Sequence, residues 1–258
     1  MKPRIAIPVP NSSRPDYVAR ALPQYEHAVR ESGGEPVVIQ VDATPTEIAQ
    51  AIKHCDGVLL PGSPADVDPE KYGAEKHEKT AAPDPFRDNT DELLLQDAYN
   101  MRKPVFGICY GMQSLNVWRT GTLDQDLPDS VNHRAGRAVP EAHCVQLDPH
   151  SRLAAILRSA GALAQTVPLT LPVNSSHHQA AALLGDGLKL AAWSPDDGVK
   201  EAAESASKDH FVLAVQWHPE RDFDQSPASR AIFAAFVEAS AAWHERLAKR
   251  QGDFESIK

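Results

Sequence analysis

The first half of the chain alternates short apolar runs with longer stretches of helical apolar spacing. Ile5-Ala-Ile-Pro-Val9 reads as a strand, and Tyr17 to Ser32 as a helix that stops at Gly33-Gly34. Glu35-Pro-Val-Val-Ile-Gln40 is a second strand. Thr44 to Lys53 is a helix opened by a threonine cap, with Pro45 in its first position. Asp56-Gly-Val-Leu-Leu60 is a third strand and ends in Pro61-Gly62-Ser63. Asp88 to Asn100 is a helix, Val105 to Ile108 a fourth buried strand, and Met112 to Trp118 the next helix. This alternation predicts a mainly parallel sheet with helices on both faces. Active sites of such sheets lie at the carboxyl ends of the strands. Gly62 and Cys109 both sit at such ends, which makes them candidates for one cleft.

The second half has a different rhythm. His143 to Leu147, Leu188 to Trp193, Gly198 to Ala203 and Phe211 to Trp217 read as short strands separated by turns. They predict an antiparallel segment folded back onto the main sheet. A final Ala-rich helix runs from about Ser226 to Leu247, and the charged tail from Lys249 is expected to fray. The Pro- and Asp-rich stretch from Ser63 to Arg87 is too long for a plain connector and is expected to border the site. With no repeat, low-complexity tract or linker in the sequence, residues 1–258 are expected to form a single domain.

Composition narrows the function classes. At 258 residues, 42% hydrophobic and 24% charged, the chain has the make-up of an ordinary globular protein. Its net charge of -9 argues against a nucleic-acid partner, which calls for positive surface. No apolar segment approaches the length of a membrane span, and the start lacks the pattern of a signal peptide. The three cysteines, Cys55, Cys109 and Cys144, are too few and too scattered for a disulfide framework. A reducing cytoplasm is the expected compartment, and it would keep a reactive thiol available.

Gly107-Ile-Cys-Tyr-Gly111 lies between a strand and a helix, the setting of a nucleophile elbow with cysteine in place of serine. The flanking glycines let the backbone crowd a strained turn, and the helix start favours a thiolate at Cys109. On that reading Cys109 is expected to react with alkylating agents much faster than Cys55 or Cys144. A small buried core cysteine is the plain alternative. Phe211 to Glu220 is the second signal: an apolar strand, then His218-Pro219-Glu220. His218 can take a thiol proton and later deliver it to a leaving amine, while Glu220 holds the imidazole in one tautomer. Alone, such a triplet also fits a surface loop. Backbone N–H groups of Tyr110 and of the Gly62–Ser63 turn are candidates for receiving an oxyanion, although a routine turn explains Gly62–Ser63 equally well.

Val173-Asn-Ser-Ser-His-His-Gln179 is a polar cluster that reads as a substrate-binding or solvated loop. Adjacent His177 and His178 point in different directions on an extended chain, and no nearby Cys or carboxylate completes a ligand set, so no metal is expected. His133 and His143 have no evident partner in the sequence and read as surface or structural residues.

Taken in order, several motifs resemble the class I glutamine amidotransferase-like superfamily, and within it the C26-type peptidase branch similar to gamma-glutamyl-gamma-aminobutyrate hydrolase. They are Leu60-Pro-Gly-Ser63, Asp66-Val-Asp-Pro69, Tyr72-Gly73, Asp84-Pro-Phe-Arg-Asp88, Gly107 to Asn116, Gly121 to Leu127, Val173 to Gln179 and Val215 to Glu220. The resemblance implies a flavodoxin-like three-layer α/β/α sandwich, with a mainly parallel sheet and an antiparallel extension. It implies a triad of Cys109, His218 and Glu220, a gamma-glutamyl thioester released by water, and no cofactor. It places Gln113 and the loop of Asn174, Ser175, Ser176, His177, His178 and Gln179 near the glutamyl group of a small substrate. Members of the family are often dimers, and no exposed apolar helix face in this sequence decides for or against a homodimer.

The chain departs from the family pattern in three places. Ser63 stands where a second glycine is common. Arg119-Thr120-Gly121 replaces a Gly-Gly pair, so a Cβ at Thr120 is expected to alter the helix end. Tyr110 stands where arginine is frequent, and its side chain is expected at the pocket mouth. The activity expected from all this is hydrolysis of gamma-glutamyl amides. Two alternatives stay open: a glutaminase subunit passing ammonia to a separate synthetase, and a non-catalytic binding protein on the same scaffold.

Overall fold

The computed structural model describes residues 1–163 and 167–255. In chain order the elements are β1 (Arg4–Pro8), α1 (Pro15–Glu31), β2 (Glu35–Ile39), α2 (Pro45–Lys53), β3 (Gly57–Leu60), a 3₁₀ turn (Pro69–Tyr72) and α3 (Pro85–Met101). Next come β4 (Val105–Ile108), α4 (Tyr110–Trp118), β5 (Leu123–Asp124), β6 (His143–Leu147) and α5 (Arg152–Ser159). The chain continues with β7 (Thr170–Val173), β8 (Ala180–Ala181), β9 (Leu188–Trp193), β10 (Lys200–Ser205), β11 (Val212–Val215) and α6 (Pro227–Glu255). Caps account for several boundaries. Thr44 and Glu47 form a reciprocal capping box on α2, and Asp84 accepts from the Arg87 N–H at the start of α3.

The strands form one sheet in the order β2-β1-β3-β4-β11-β10-β9-β6-β7, with β5 and β8 paired beside β10. From β2 to β11 neighbouring strands are parallel, and from β11 outward they are antiparallel. The expected class, an α/β/α sandwich with a mainly parallel sheet and an antiparallel extension, is the class observed. The inner parallel strands β1, β3, β4 and β11 are buried on both faces, which is why they read as unbroken apolar runs. Their side chains still alternate. Ile5, Ile7, Leu59, Phe106, Ile108, Leu213 and Val215 join α1, α5 and α6 in one core layer. Ala6, Val58, Leu60, Val105, Val212 and Ala214 join α2, α3 and α4 in the other.

Both edge strands carry a proline, Pro36 in β2 and Pro172 in β7, where the missing N–H breaks no interior ladder. Among the described residues, no helix is long and apolar enough to cross a membrane.

The strand order decides what the site can contain. Strand β4 lies between β3 and β11, with Leu60 opposite Gly107 and Val215 opposite Ile108. The three chain segments that leave these strands therefore emerge side by side. They carry Pro61-Gly62-Ser63, Cys109 and His218.

Candidate active site

Cys109 links β4 to α4 with φ 52° and ψ -107°, a backbone conformation that a residue with a Cβ adopts only under strain. Such a conformation costs about 1–3 kcal/mol and persists only where the surroundings enforce it. Here its N–H donates to Val215 O (2.8 Å), and its carbonyl accepts from Met112 and Gln113 N–H (3.0 and 3.2 Å). The elbow also needs Gly111, where a Cβ would run into the carbonyl oxygen of Leu60 on β3. The strand–elbow–helix read from the sequence is thus present, with Cys109 at its apex and only 6% exposed.

His218 follows β11 and is 2% exposed. Asn174 grips its peptide from both sides: the side-chain amide donates to His218 O (2.9 Å), and the side-chain oxygen accepts from His218 N–H (3.0 Å). The imidazole Nδ1 lies 2.8 Å from Glu220 Oε1. A carboxylate only accepts, so Nδ1 carries the hydrogen and Nε2 presents a lone pair. Among the described residues no hydrogen bond joins the ring to Cys109 Sγ, and such contacts commonly close only when substrate binds. A Cβ built on Gly62 would lie 3.0 Å from His218 Cε1, 3.2 Å from Tyr25 Oη and 3.6 Å from Cys109 Cβ. Gly62 thus sits where thiol and imidazole converge, and a larger residue there would crowd them.

Burial dominates the electrostatics. It pushes the Cys109 thiol up to about 12, against the opposing Arg221 charge and with Glu220 adding to the rise. Burial also holds His218 below its ordinary value, although the Glu220 carboxylate pulls the other way. Desolvation acts to raise Glu220 as well, but the facing His218 leaves its carboxyl below the usual range. Both shifts favour the uncharged pair, thiol and neutral imidazole. Desolvation of the sulfur works against the thiolate expected from the helix start.

The turn after β3 is fixed by residues that the sequence did not single out. Gly62 N–H donates to the hydroxyl of Tyr25 on α1 (3.0 Å), so this expected oxyanion donor is already engaged. Arg87, fully buried on α3, donates to Pro61 O (2.7 Å) and Pro10 O (3.0 Å) and pairs with Asp91 (2.7 Å). It clamps the turn to the end of β1. Ser63 is outside the left-handed region, so its Cβ is no obstacle, and its hydroxyl accepts from Ala65 N–H (3.2 Å). Arg87 lies inside a motif quoted above. Its role was hidden because nothing local announces a buried arginine.

Three other expectations change. Tyr110 does not line a pocket mouth. Its ring is buried among Val67, Val117 and Leu123, its hydroxyl donates to Asp88, and Arg87 lies over it at 5.0 Å. Thr120 does not alter the helix end. Its N–H and that of Gly121 donate to Val117 O and Asn116 O, a Schellman pairing completed by a threonine at φ 70°. The loop 174–179 is mainly scaffold. Asn174 holds His218, Ser175 donates to His133 O, and Gln179 donates to Gln125 O and accepts from Gln113. His178 reaches Asp66 (3.0 Å), and Ser176 accepts from Arg221 (2.7 Å). These two are the half-buried members of the loop, along the flank that Arg221 shares with Glu220.

His177 and His178 diverge as expected, but His133 and His143 do have partners. Both are drawn together with His177 around Glu201, a carboxylate on β10 far away in the chain. A groove of about 750 Å³ between the end of α3 and α6 lies at the opposite end of the strands from Cys109.

Comparison with known proteins gives the family. The family model for peptidase C26 matches residues 9–220, a span that includes Gly62, Cys109, His218 and Glu220. The gamma-glutamyl-gamma-aminobutyrate hydrolase of Escherichia coli strain K12 is 34% identical over 226 residues, covering 84% of this chain and 84% of its own. The protein named NtpR of Enterococcus hirae is 34% identical over 220 residues, covering 83% and 87%. A Thermoplasma acidophilum structure named for a GMP synthase superposes with a TM-score of 0.62 at 16% identity, covering 96% and 98%, and so shares the fold. With the family model matching residues 9–220 and relatives 34% identical over more than four fifths of the chain, this chain belongs to the peptidase C26 family.

Proposed function

We propose that the chain is a cysteine-dependent hydrolase of small gamma-glutamyl amides, acting through a gamma-glutamyl thioester. The observation that carries the reading is the meeting of Cys109, on its strained elbow, with the end of β11, where Glu220 fixes the His218 tautomer. The relatives named for gamma-glutamyl-gamma-aminobutyrate hydrolysis support the substrate class.

In this mechanism His218 Nε2 accepts the Sγ proton as sulfur attacks the gamma-carbonyl carbon. Glu220 stabilises the imidazolium that forms. The carbonyl oxygen becomes an oxyanion and is received by the backbone N–H groups of Tyr110 and Ser63, since Gly62 N–H is held by Tyr25. The imidazolium then protonates the leaving amine nitrogen as the C–N bond breaks. Water, deprotonated by the same Nε2, attacks the thioester carbon, and the proton returns to sulfur as glutamate leaves. Every proton moves through His218, so the reaction calls for no cofactor. Arg221, half-buried beside Glu220, and the neighbouring Arg137 supply positive charge for the alpha-carboxylate of a glutamyl group.

The test is a panel of gamma-glutamyl amides, including gamma-glutamyl-GABA and glutamine, with released glutamate quantified. Release by the wild-type chain, lost in Cys109→Ala without loss of fold, is the expected result. Equal turnover by Cys109→Ala would overturn the mechanism. Release of glutamate from glutamine only, and only with an added synthetase, would move the chain to the ammonia-supplying class.

A further inference from the structure

We propose that this chain holds a structural zinc ion, bound by His133, His143, His177 and Glu201 in the antiparallel extension and separate from Cys109. The four side chains come from four segments: the loop before β6, the first residue of β6, the loop after β7, and β10. One ligand atom from each lies within 4.8 Å of all the others. Glu201 Oε1 is 3.2 Å from His133 Nδ1, 3.5 Å from His143 Nε2 and 3.6 Å from His177 Nε2. A tetrahedral zinc with bonds of about 2.0–2.1 Å keeps its ligand atoms about 3.3 Å apart. The three carboxylate–imidazole separations lie close to that value, the ring nitrogens lie within 4.8 Å of one another, and all four side chains are buried.

The tautomers strengthen the argument. The second nitrogen of each ring is already committed to an acceptor. His133 Nε2 is 2.9 Å from Asp197 Oδ2, His143 Nδ1 is 3.2 Å from Cys144 O, and His177 Nδ1 is 2.9 Å from Gln179 O. Carbonyl and carboxylate oxygens only accept, so those nitrogens carry the hydrogens. In the neutral form that binds a metal, the three rings would therefore turn lone pairs toward one another and toward the carboxylate. His133 Nδ1, His143 Nε2, His177 Nε2 and both oxygens of Glu201 have no hydrogen-bond partner. Buried acceptors aimed at one point repel unless a cation lies among them.

One proton on His133 would pair with Glu201 but leave the inner nitrogens of His143 and His177 unpartnered, and protonating those as well would crowd imidazolium ions around one carboxylate, which is costly in a buried site. One divalent ion satisfies all four ligands together. Glu201 and the neighbouring Asp197 then balance its two positive charges. Hydrogen bonds from the outer ring nitrogens to Asp197 and to two backbone carbonyls are the usual second layer of a metal site. Four protein ligands with no open position mark a structural centre rather than a catalytic one.

The centre would brace the proposed active site without joining it. His177 lies on the loop whose Asn174 grips the His218 peptide. Glu201 O accepts from the N–H of Gln216, two residues before His218. Metal binding would thus tie together the 174–179 loop and β10, two segments that position the base.

Metal content tests this independently of activity. Tag-free protein purified without chelator should carry close to one zinc per chain by elemental mass spectrometry. Cys109→Ala and the exposed His150→Ala should retain it, while His143→Ala and the isosteric Glu201→Gln should fall more than tenfold. Wild-type protein stripped by chelator and refilled with Co²⁺ should show the strong visible absorption of a four-coordinate site. Restoring zinc should raise the melting temperature of stripped wild type but not of His143→Ala. The proposal is overturned if folded, stripped wild type binds neither zinc nor cobalt, or if Cys109→Ala abolishes the metal, which would place it at the thiol. The stripped wild type keeps the test decisive if the variants fail to fold.

Discussion

At Cys109 the backbone and the side chain are under separate constraints. The backbone is forced to positive φ by the β4–α4 elbow, and the side chain is kept from water by burial. A thiol pushed up to about 12 beside an imidazole held below its ordinary value needs the imidazole free to accept a proton. The sign follows: acid protonates His218 and removes the base, while neutral pH leaves it competent. The expected kcat/KM against gamma-glutamyl amides therefore falls as pH drops through a value below about 6.5 and is flat around neutrality. An acid limb centred above neutrality would contradict this assignment. In the resting protein, mild alkylation should mark exposed Cys144 before Cys109, reversing the order expected from the sequence alone.

Thr120 is a second residue with a backbone unsuited to it. A β-branched side chain at φ 70° is strained, and the Schellman hydrogen bonds hold it there. Thr120→Gly should relieve part of that strain, with a net gain of about 1 kcal/mol after the added freedom of the unfolded glycine is counted. For a chain of this size that is a rise of about 2–4 °C in melting temperature. A fall would mean that the threonine side chain stabilises the turn in a way its strain conceals.

Among the elements, the turn after β3 depends most on distant support. The Tyr25 hydroxyl holds Gly62 N–H from α1, and Arg87 holds Pro61 O from α3. Tyr25→Phe leaves a buried N–H without its partner, at a cost of about 1–3 kcal/mol in stability. It also loosens the neighbouring Ser63 donor, so kcat should drop more than KM changes. Steady-state kinetics with thermal melting measure both effects, and an unchanged kcat would remove Tyr25 from the positioning of the turn. Such support was not legible in the sequence, because each contact joins residues far apart in the chain. What was legible is local. Strands β4, β6 and β9 end where their apolar runs end, and the Thr44 cap starts α2. Helix α5 escaped because eight residues after Pro149-His150-Ser151 span too little chain for a periodicity, although Ser151 does cap it. Strand β10 starts two residues later than expected, after the turn that positive-φ Gly198 helps to make. The histidine–glutamate cluster escaped for the same reason as Tyr25: its carboxylate lies on a strand that sequence spacing cannot connect to His177.

Across the whole molecule, the question is whether the parallel half and the antiparallel extension behave as one unit. Helix α6 packs against α1 and β1 on one side and against α5 on the other. Its Phe233 and Phe236 meet Phe106 of β4 at ring-centroid distances of 5.3 and 5.7 Å, and Phe233 also meets Phe223 at 5.6 Å. One core layer therefore runs from α1 through β4 and β11 to α5 and the β6–β7 edge, with no break at the change from parallel to antiparallel pairing. The single domain expected from the sequence follows if that layer melts together. Calorimetry should give one transition, with van't Hoff and calorimetric enthalpies in agreement. Phe233→Ala should cost about 3–5 kcal/mol and lower the transition as a whole rather than split it. Two separated transitions in the variant would show that the extension folds by itself. They would also show that His218, carried between the halves on β11, depends on a docking contact and not on a shared core.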